Sequence, residues 1–118
     1  HKKVMVKADQ NKLSQVMNNL LTNAIKYSEI NTQINIIINV SKKEVIVVVS
    51  DQGKGIPKSE LGELFKPFTT TSVKSTGGEE STGLGLVSVK KIIETHGGRI
   101  WVNSAIGIGS QFYFTIPL

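Results

Sequence analysis

Two alternating apolar runs, QINIIINV at 33 to 40 and EVIVVVS at 44 to 50, are separated only by Ser41, Lys42 and Lys43. Side chains two residues apart share one face of a strand, so the pair predicts a β-hairpin whose second strand ends at Asp51. A helical pattern precedes it. Leu13, Val16, Met17, Leu20, Leu21 and Ala24 recur at three- and four-residue spacing, and Asp9 is placed to cap the first turn. Val4 and Val6, alternating with lysines, suggest a short strand leading into that helix. Beyond the hairpin, Pro57 can open a short helix through SELGELF, and a second amphipathic helix runs from Leu84 to a stop at His96-Gly97-Gly98. RIWVN and SQFYFTIP then form a closing hairpin around Gly107 and Gly109. The segment KPFTTTSVKSTGGEES, 66 to 81, is polar and without period, and reads as a mobile loop. Strands and helices intermixed over so short a chain imply a two-layer α/β (α+β) sandwich: a mixed, mostly antiparallel sheet covered on one face by about three helices.

With 118 residues, 39% of them hydrophobic, the chain fits one domain spanning 1 to 118. No apolar run approaches the roughly 18 residues needed to span a bilayer, and no charged-then-apolar leader begins the chain. A soluble, cytoplasmic piece is expected, whether or not its parent is membrane-bound. The absence of cysteine excludes disulfide scaffolds, thiol catalysis and Cys-ligated zinc. The net charge of +5 is spread over Lys2, Lys3, Lys7, Lys12, Lys42, Lys43, Lys58, Lys90, Lys91 and others, with no basic stripe interleaved with aromatics. No nucleic-acid partner is expected from that distribution.

Three segments carry chemistry. On the first helix, Asn19, Asn23 and Lys26 fall within about 60° of one another, a polar row on the face roughly opposite the apolar stripe. An amide oxygen is a hard neutral ligand for magnesium, and a lysine one turn on can neutralise a phosphate; the plain alternative is a solvated helix face. Asp51 is followed by Gly53 and Gly55, so a carboxylate able to accept the exocyclic amine of adenine stands beside backbone that a ligand can approach closely, with Ile56 to line the base. The plain alternative there is a turn held by an Asx hydrogen bond. A calcium loop fits poorly, because it needs several acidic or amide ligands and only one carboxylate is present. In TGLGLVSVKK, 82 to 91, Gly83 and Gly85 stand where a loop enters a helix, and exposed N–H groups at a helix start suit a triphosphate. The segment lacks the Gly-Lys-Ser/Thr ending of a Walker A loop and does not follow a strand, which argues against P-loop and dinucleotide folds.

NNLLTNAIKYS at 18 to 28, DQGKGIP at 51 to 57 and TGLGLVSVKK, in this order and over nearly the whole chain, resemble the histidine-kinase ATPase domain. That is the catalytic domain of sensor histidine kinases, with a fold shared by gyrase, MutL-type repair ATPases and the heat-shock chaperone ATPases. The resemblance implies the Bergerat ATP-binding fold, with nucleotide between the helical layer and a flexible lid at about 66 to 81. It implies ATP and Mg2+ as cofactors. Asn23 matches the Asn that holds magnesium, and Asn19, Lys26 and Tyr27 match neighbours that contact metal, phosphate or ribose. Asn23 and Lys26 are thereby the candidate catalytic pair, and Asn23 with Asn19 the metal side. Asp51, Gly53, Gly55 and Ile56 are implied for the base, and Thr82, Gly83, Leu84, Gly85 and Leu86 for the phosphates. Phe65, Pro67 and Phe68 resemble an aromatic box at the start of the lid. Two positions depart from the pattern: Ser81 replaces a frequent Gly, and Ser72 stands where many members have Lys, leaving Lys74 or Lys66 to supply that charge.

Gyrase-like and chaperone-like relatives carry a Glu one turn before the magnesium Asn as general base on water. This chain has Asn19 there, and an amide cannot accept that proton. Transfer of the γ-phosphoryl group to a protein acceptor is the preferred reading. Of the two histidines, His1 is terminal and His96 belongs to the helix stop, where it reads as structural. The resemblance therefore implies an acceptor histidine on a separate dimeric helical domain absent from this chain, with onward relay to a response regulator. The fragment is expected to be monomeric and its parent a homodimer. An anti-sigma-factor-type serine kinase of the same fold and a non-catalytic nucleotide-binding module are the alternatives; NAIKYS and the terminal HGGRIWVNSAIGIGSQFYFTIP favour the histidine kinase over the serine kinase.

Overall fold

In the computed structural model, residues 6 to 66 and 85 to 118 are described. Helix α1 spans Gln10–Tyr27, capped by Asp9, whose Oδ1 accepts the Lys12 N–H at 3.1 Å. Ser28 ends it: both its N–H and its hydroxyl donate to the Ala24 carbonyl. Strands β1 (Ile34–Val40) and β2 (Glu44–Asp51) form the expected hairpin, in register from Ile34 opposite Asp51 to Val40 opposite Val45. The Ser41 hydroxyl fixes the turn by accepting the N–H groups of Lys43 and Glu44. Pro57 precedes a single 3-10 stretch, Lys58–Glu63. Helix α2 (Gly85–Thr95), β3 (Ile100–Ala105) and β4 (Gly109–Pro117) follow.

The sheet order is β1-β2-β4-β3, so the last strand lies between β2 and β3 and joins the two hairpins. All three pairings among the described residues are antiparallel. The strand suggested at Val4 and Val6 is not seen at Val6, which lies in irregular chain; Val4 is outside the described residues. One sheet face is covered. Val16, Leu20 and Ala24 of α1 and Val89 and Ile93 of α2 pack with Val47, Val49, Phe112, Phe114, Ile116 and Leu64 in one buried cluster. Burying a Leu or Ile of this kind contributes about 2 kcal/mol, so these side chains set the orientation of both helices on the sheet.

Helix α2 stops as its sequence requires. Gly97 takes φ 81°, the Gly98 N–H reaches the Ile93 carbonyl at 2.9 Å and the Gly97 N–H reaches Glu94, a Schellman ending that glycine makes cheap. His96 does more than stop the helix. Its Nε2 accepts the Asp9 N–H at 3.0 Å, so its Nδ1 carries the proton donated to the Ile92 carbonyl at 2.8 Å. Both ring nitrogens are spent joining the start of α1 to the end of α2, which is the structural role expected for it. His96→Ala should lower stability by about 1 to 2 kcal/mol, read as an earlier urea midpoint with an unchanged slope.

Candidate functional site

Three strands of contact hold the loop that follows β2. Asp51 closes the strand between Ile34 and Ser110. Its side chain is 7% exposed, and its Oδ1 accepts the Gly53 N–H at 2.9 Å and the Ser110 N–H at 3.3 Å. Burial pushes the carboxyl above the ordinary aspartate value, and the two N–H groups pull it part of the way back. Gly53 bridges to Ser28, and the Tyr27 carbonyl accepts the Lys54 N–H at 3.3 Å, so the loop is tied to the end of α1. A Cβ at Gly53 would be driven into that Tyr27 carbonyl. On the other side the β3–β4 hairpin holds the loop. The Ser104 hydroxyl accepts the Ile56 N–H at 2.8 Å and lies 2.7 Å from the Ser110 hydroxyl, while the Gly107 N–H donates to the Lys54 carbonyl at 3.0 Å. Gly55 sits at φ 77° directly against the Ala105 carbonyl.

The polar row of α1 lies elsewhere on the helix than the periodicity implied. Asn19, Asn23 and Lys26 are half-buried at the flank of the apolar stripe, whereas the exposed face carries Asn11, Gln15, Asn18, Thr22 and Ile25. The reason is the second helix: α2 packs beside α1, and its first residue Gly85 approaches Asn19 so closely that a Cβ there would stand 3.8 Å from Asn19 Oδ1. An amide oxygen therefore faces Gly85, where the described part of α2 begins. Tyr27 and Lys26 are half-buried at the other end of the row, next to the Asp51 loop. Ile56 and Leu86 are partly buried against the core cluster.

Every described candidate thus lies on one path, from the buried carboxylate of Asp51 along one flank of α1 to Gly85. Phe68, Thr82, Gly83 and Leu84, with Pro67, Ser72, Lys74 and Ser81, lie outside the described residues. Of the two lysines considered for the lid, Lys66 pairs with Glu63 at 3.0 Å, both more than half exposed. Ser104, Ser110, Ala105 and Gly109 belong to the site's framework and had no local signature; only the β2–β4 register, which sets Asp51 opposite Ser110, reveals them. Among the described residues no cluster of three His, Cys, Asp or Glu side chains is placed to hold a metal, and no helix is long and apolar enough to cross a membrane.

Residues 8–118 match the family model described as "Histidine kinase-, DNA gyrase B-, and HSP90-like ATPase". The chain belongs to that family. Among relatives of this ATPase domain, the sensor histidine kinase WalK of Bacillus subtilis is 37% identical over 95% of the chain, which covers 19% of WalK. The mycobacterial sensor histidine kinase MprB superposes with a TM-score of 0.86 at 27% identity, over 95% of this chain and 76% of that one. Full-length ShkA, solved in complex with AMPPNP, gives a TM-score of 0.80 at 27% identity over 95% of this chain and 22% of ShkA. The chain spans between about a fifth and a third of the length of the curated relatives it matches. The two-layer architecture with its open antiparallel sheet is accordingly that of the histidine-kinase ATPase domains, and ATP is the nucleotide of this family.

Proposed function

We propose that the chain is the ATP-binding catalytic domain of a two-component sensor histidine kinase, directing the γ-phosphoryl group of ATP to a histidine on a separate acceptor domain. The observation that carries this reading is the placement of the buried Asp51 carboxylate and of Gly85, where the described part of α2 begins, at the two ends of one polar helix flank. Asn19 and Tyr27 are eight residues apart, about 12 Å along α1, a span suited to a nucleotide laid from base to phosphates. Asp51 would accept the adenine exocyclic amine, since both intramolecular N–H groups go to Oδ1 and Oδ2 takes neither. Gly53 and Gly55 present bare backbone beside it, and Ile56 would lie against the ring.

The residues present fit a magnesium-bound triphosphate. Asn19 offers a neutral hard oxygen beside Gly85 and Asn23 another one turn along the helix, Lys26 adds a positive charge on the same flank, and magnesium would neutralise charge developing on the transferred group. Asn23 would hold the metal; Asn19, at the position of the hydrolytic relatives' glutamate, has no lone pair basic enough to take a proton from water. Phosphoryl transfer to protein is therefore favoured over hydrolysis. His96 is no acceptor, because both ring nitrogens are engaged between the helices. The acceptor histidine would belong to the parent's dimerisation domain, with a response regulator downstream, and the parent would be a homodimer with this domain in the cytoplasm.

Calorimetric titration with a non-hydrolysable ATP analogue tests the site. Wild type should bind more tightly with magnesium than without, and Asn23→Ala should lose most of that difference, about tenfold or more in Kd, while keeping the metal-free affinity. Magnesium dependence surviving intact in Asn23→Ala would remove Asn23 from the metal shell. Phosphate appearing on serine rather than histidine when acceptor domains are supplied would move the chain to the serine-kinase alternative.

A further inference from the structure

On its helix-covered face the sheet is apolar where Val47 pairs with Phe114 and Val49 with Phe112, all four buried. Two residues further along that face Asp51 pairs with Ser110, and Ser110 in turn with Ser104 of β3. The core-facing row thus turns polar across three adjacent strands. Asp51 and Ser110 are 7 and 5% exposed, and polar groups buried to that degree cost stability unless they are hydrogen-bonded. The direction of each bond in this row therefore matters.

Three contacts meet at the Ser104 oxygen. It accepts the Ile56 N–H at 2.8 Å, lies 2.7 Å from the Ser110 hydroxyl and lies 3.1 Å from the Gly109 carbonyl. A hydroxyl has one proton and two lone pairs, and a carbonyl has no proton to give. The bond to Gly109 is therefore donated by Ser104, whose single proton is then spent. The contact between the two serines becomes a hydrogen bond only when Ser110 gives its own proton to Ser104. With protons assigned in this way every contact is a bond, and the Ser104 oxygen is saturated by one bond donated and two accepted. Ser110 Oγ keeps only lone pairs. It stands beside Asp51, whose Oδ1 accepts the Ser110 N–H at 3.3 Å. The carboxylate and the hydroxyl at this end of the site are then both acceptors.

We infer that Ser104 is a positioning residue for base selection: by taking the Ser110 proton it fixes the base end as a pair of acceptors, which admits the exocyclic amine of adenine and repels the carbonyl oxygen that hypoxanthine and guanine carry at the same ring position. This rests on the reading of the site as an ATP site. Without the Ser104 oxygen, the Ser110 hydroxyl is free to turn its proton toward a bound carbonyl, and the same pocket accepts either base more evenly. Ser104 also holds the Ile56 N–H, so one hydroxyl sets both the polarity of the pocket and the position of the side chain against the ring.

Calorimetric titration with ADP, and with IDP by competition, reads the selectivity, because the two nucleotides carry an amine and a carbonyl at that ring position. Wild type should prefer ADP by about 100-fold or more. Ser104→Ala should lower that ratio about tenfold, the worth of one hydrogen bond, while Ser104→Thr keeps the hydroxyl and should keep the ratio. A loop that is merely loosened loses ADP and IDP in equal measure, so the ratio separates polarity from support. Adding Ser110→Ala to Ser104→Ala should weaken IDP again, since no hydroxyl remains to donate. With ADP still bound, a wild-type ratio in Ser104→Ala overturns the inference and leaves the ATP reading standing, as does IDP binding indifferent to the added Ser110→Ala. A wild type that binds neither nucleotide overturns both. Should Ser104→Ala fail to fold, judged by circular dichroism, Ser110→Ala alone decides: it removes the repelling lone pairs and should lower the ratio, and a ratio unchanged or raised overturns the inference.

Discussion

Asp51→Asn is expected to abolish adenine-nucleotide binding, by about 100-fold or more in affinity, while leaving the domain at least as stable as before. The replacement has one oxygen and one NH2 group. If the oxygen keeps the Gly53 and Ser110 N–H groups, the NH2 group faces the adenine amine, donor against donor. If the amide flips to serve adenine, its NH2 group confronts the two backbone N–H groups instead. No orientation satisfies both sides, but the first satisfies the protein in the absence of ligand. Stability then depends on charge. Burial raises the Asp51 carboxyl above the ordinary value of 3.8, with the Gly53 and Ser110 hydrogen bonds opposing, so the folded chain holds this proton more firmly than the unfolded chain does. Its contribution to stability is fullest below the unfolded value and is lost as pH rises through the folded one. Asn does not titrate. The stability of the variant relative to wild type should increase as pH rises across that window, measured by urea unfolding at a series of pH values. A variant that unfolds readily at neutral pH would mean that the charge itself is stabilising and that the buried carboxylate has another partner.

Gly55→Ala should be the most damaging single substitution in the loop, with a loss of about 3 kcal/mol or more and a fall in Tm of about 10 °C. Two costs combine there. The residue holds φ 77°, which a Cβ disfavours, and that Cβ would enter the Ala105 carbonyl of the β3–β4 hairpin. Either the loop or the hairpin must withdraw, and with the hairpin go the Ser104 bond to Ile56 and the Ser110 bond to Asp51. Nucleotide affinity should fall together with stability, in contrast to Asp51→Asn. Gly62→Ala makes a control, because a Cβ there meets nothing within 4 Å. Thermal unfolding of both variants separates the steric account from a general effect of removing glycine.

Local chemistry explains which parts of this molecule could be read in advance. Both hairpins, the Asp9 cap, the Schellman ending at Gly97 and the apolar stripe of α1 depend on residues within a few positions of one another, and all are found as expected. The polar row on α1 was misplaced because periodicity locates the apolar stripe but does not say which flank a neighbouring helix will cover; the position of α2 against Asn19 decides that. The antiparallel insertion of β4 between β2 and β3 was equally hidden, being a pairing of segments about 60 residues apart with ordinary β-forming composition. Asp51 and the glycines after it could be singled out in the sequence, but not the Ser104 and Ser110 hydroxyls that hold the loop, since a serine at a strand position looks like any solvated residue.

The tethering of residues 51 to 57 on two sides, by the Tyr27 carbonyl from α1 and by Ser104 and Gly107 from the β3–β4 hairpin, has a thermodynamic consequence. Ordering a free loop of this kind would cost about 1 to 2 kcal/mol per residue at the moment of encounter. Here that entropy is already lost when the chain folds, so the base end of the site is preorganised, and its association with ligand should carry little of the unfavourable entropy that a disorder-to-order transition imposes.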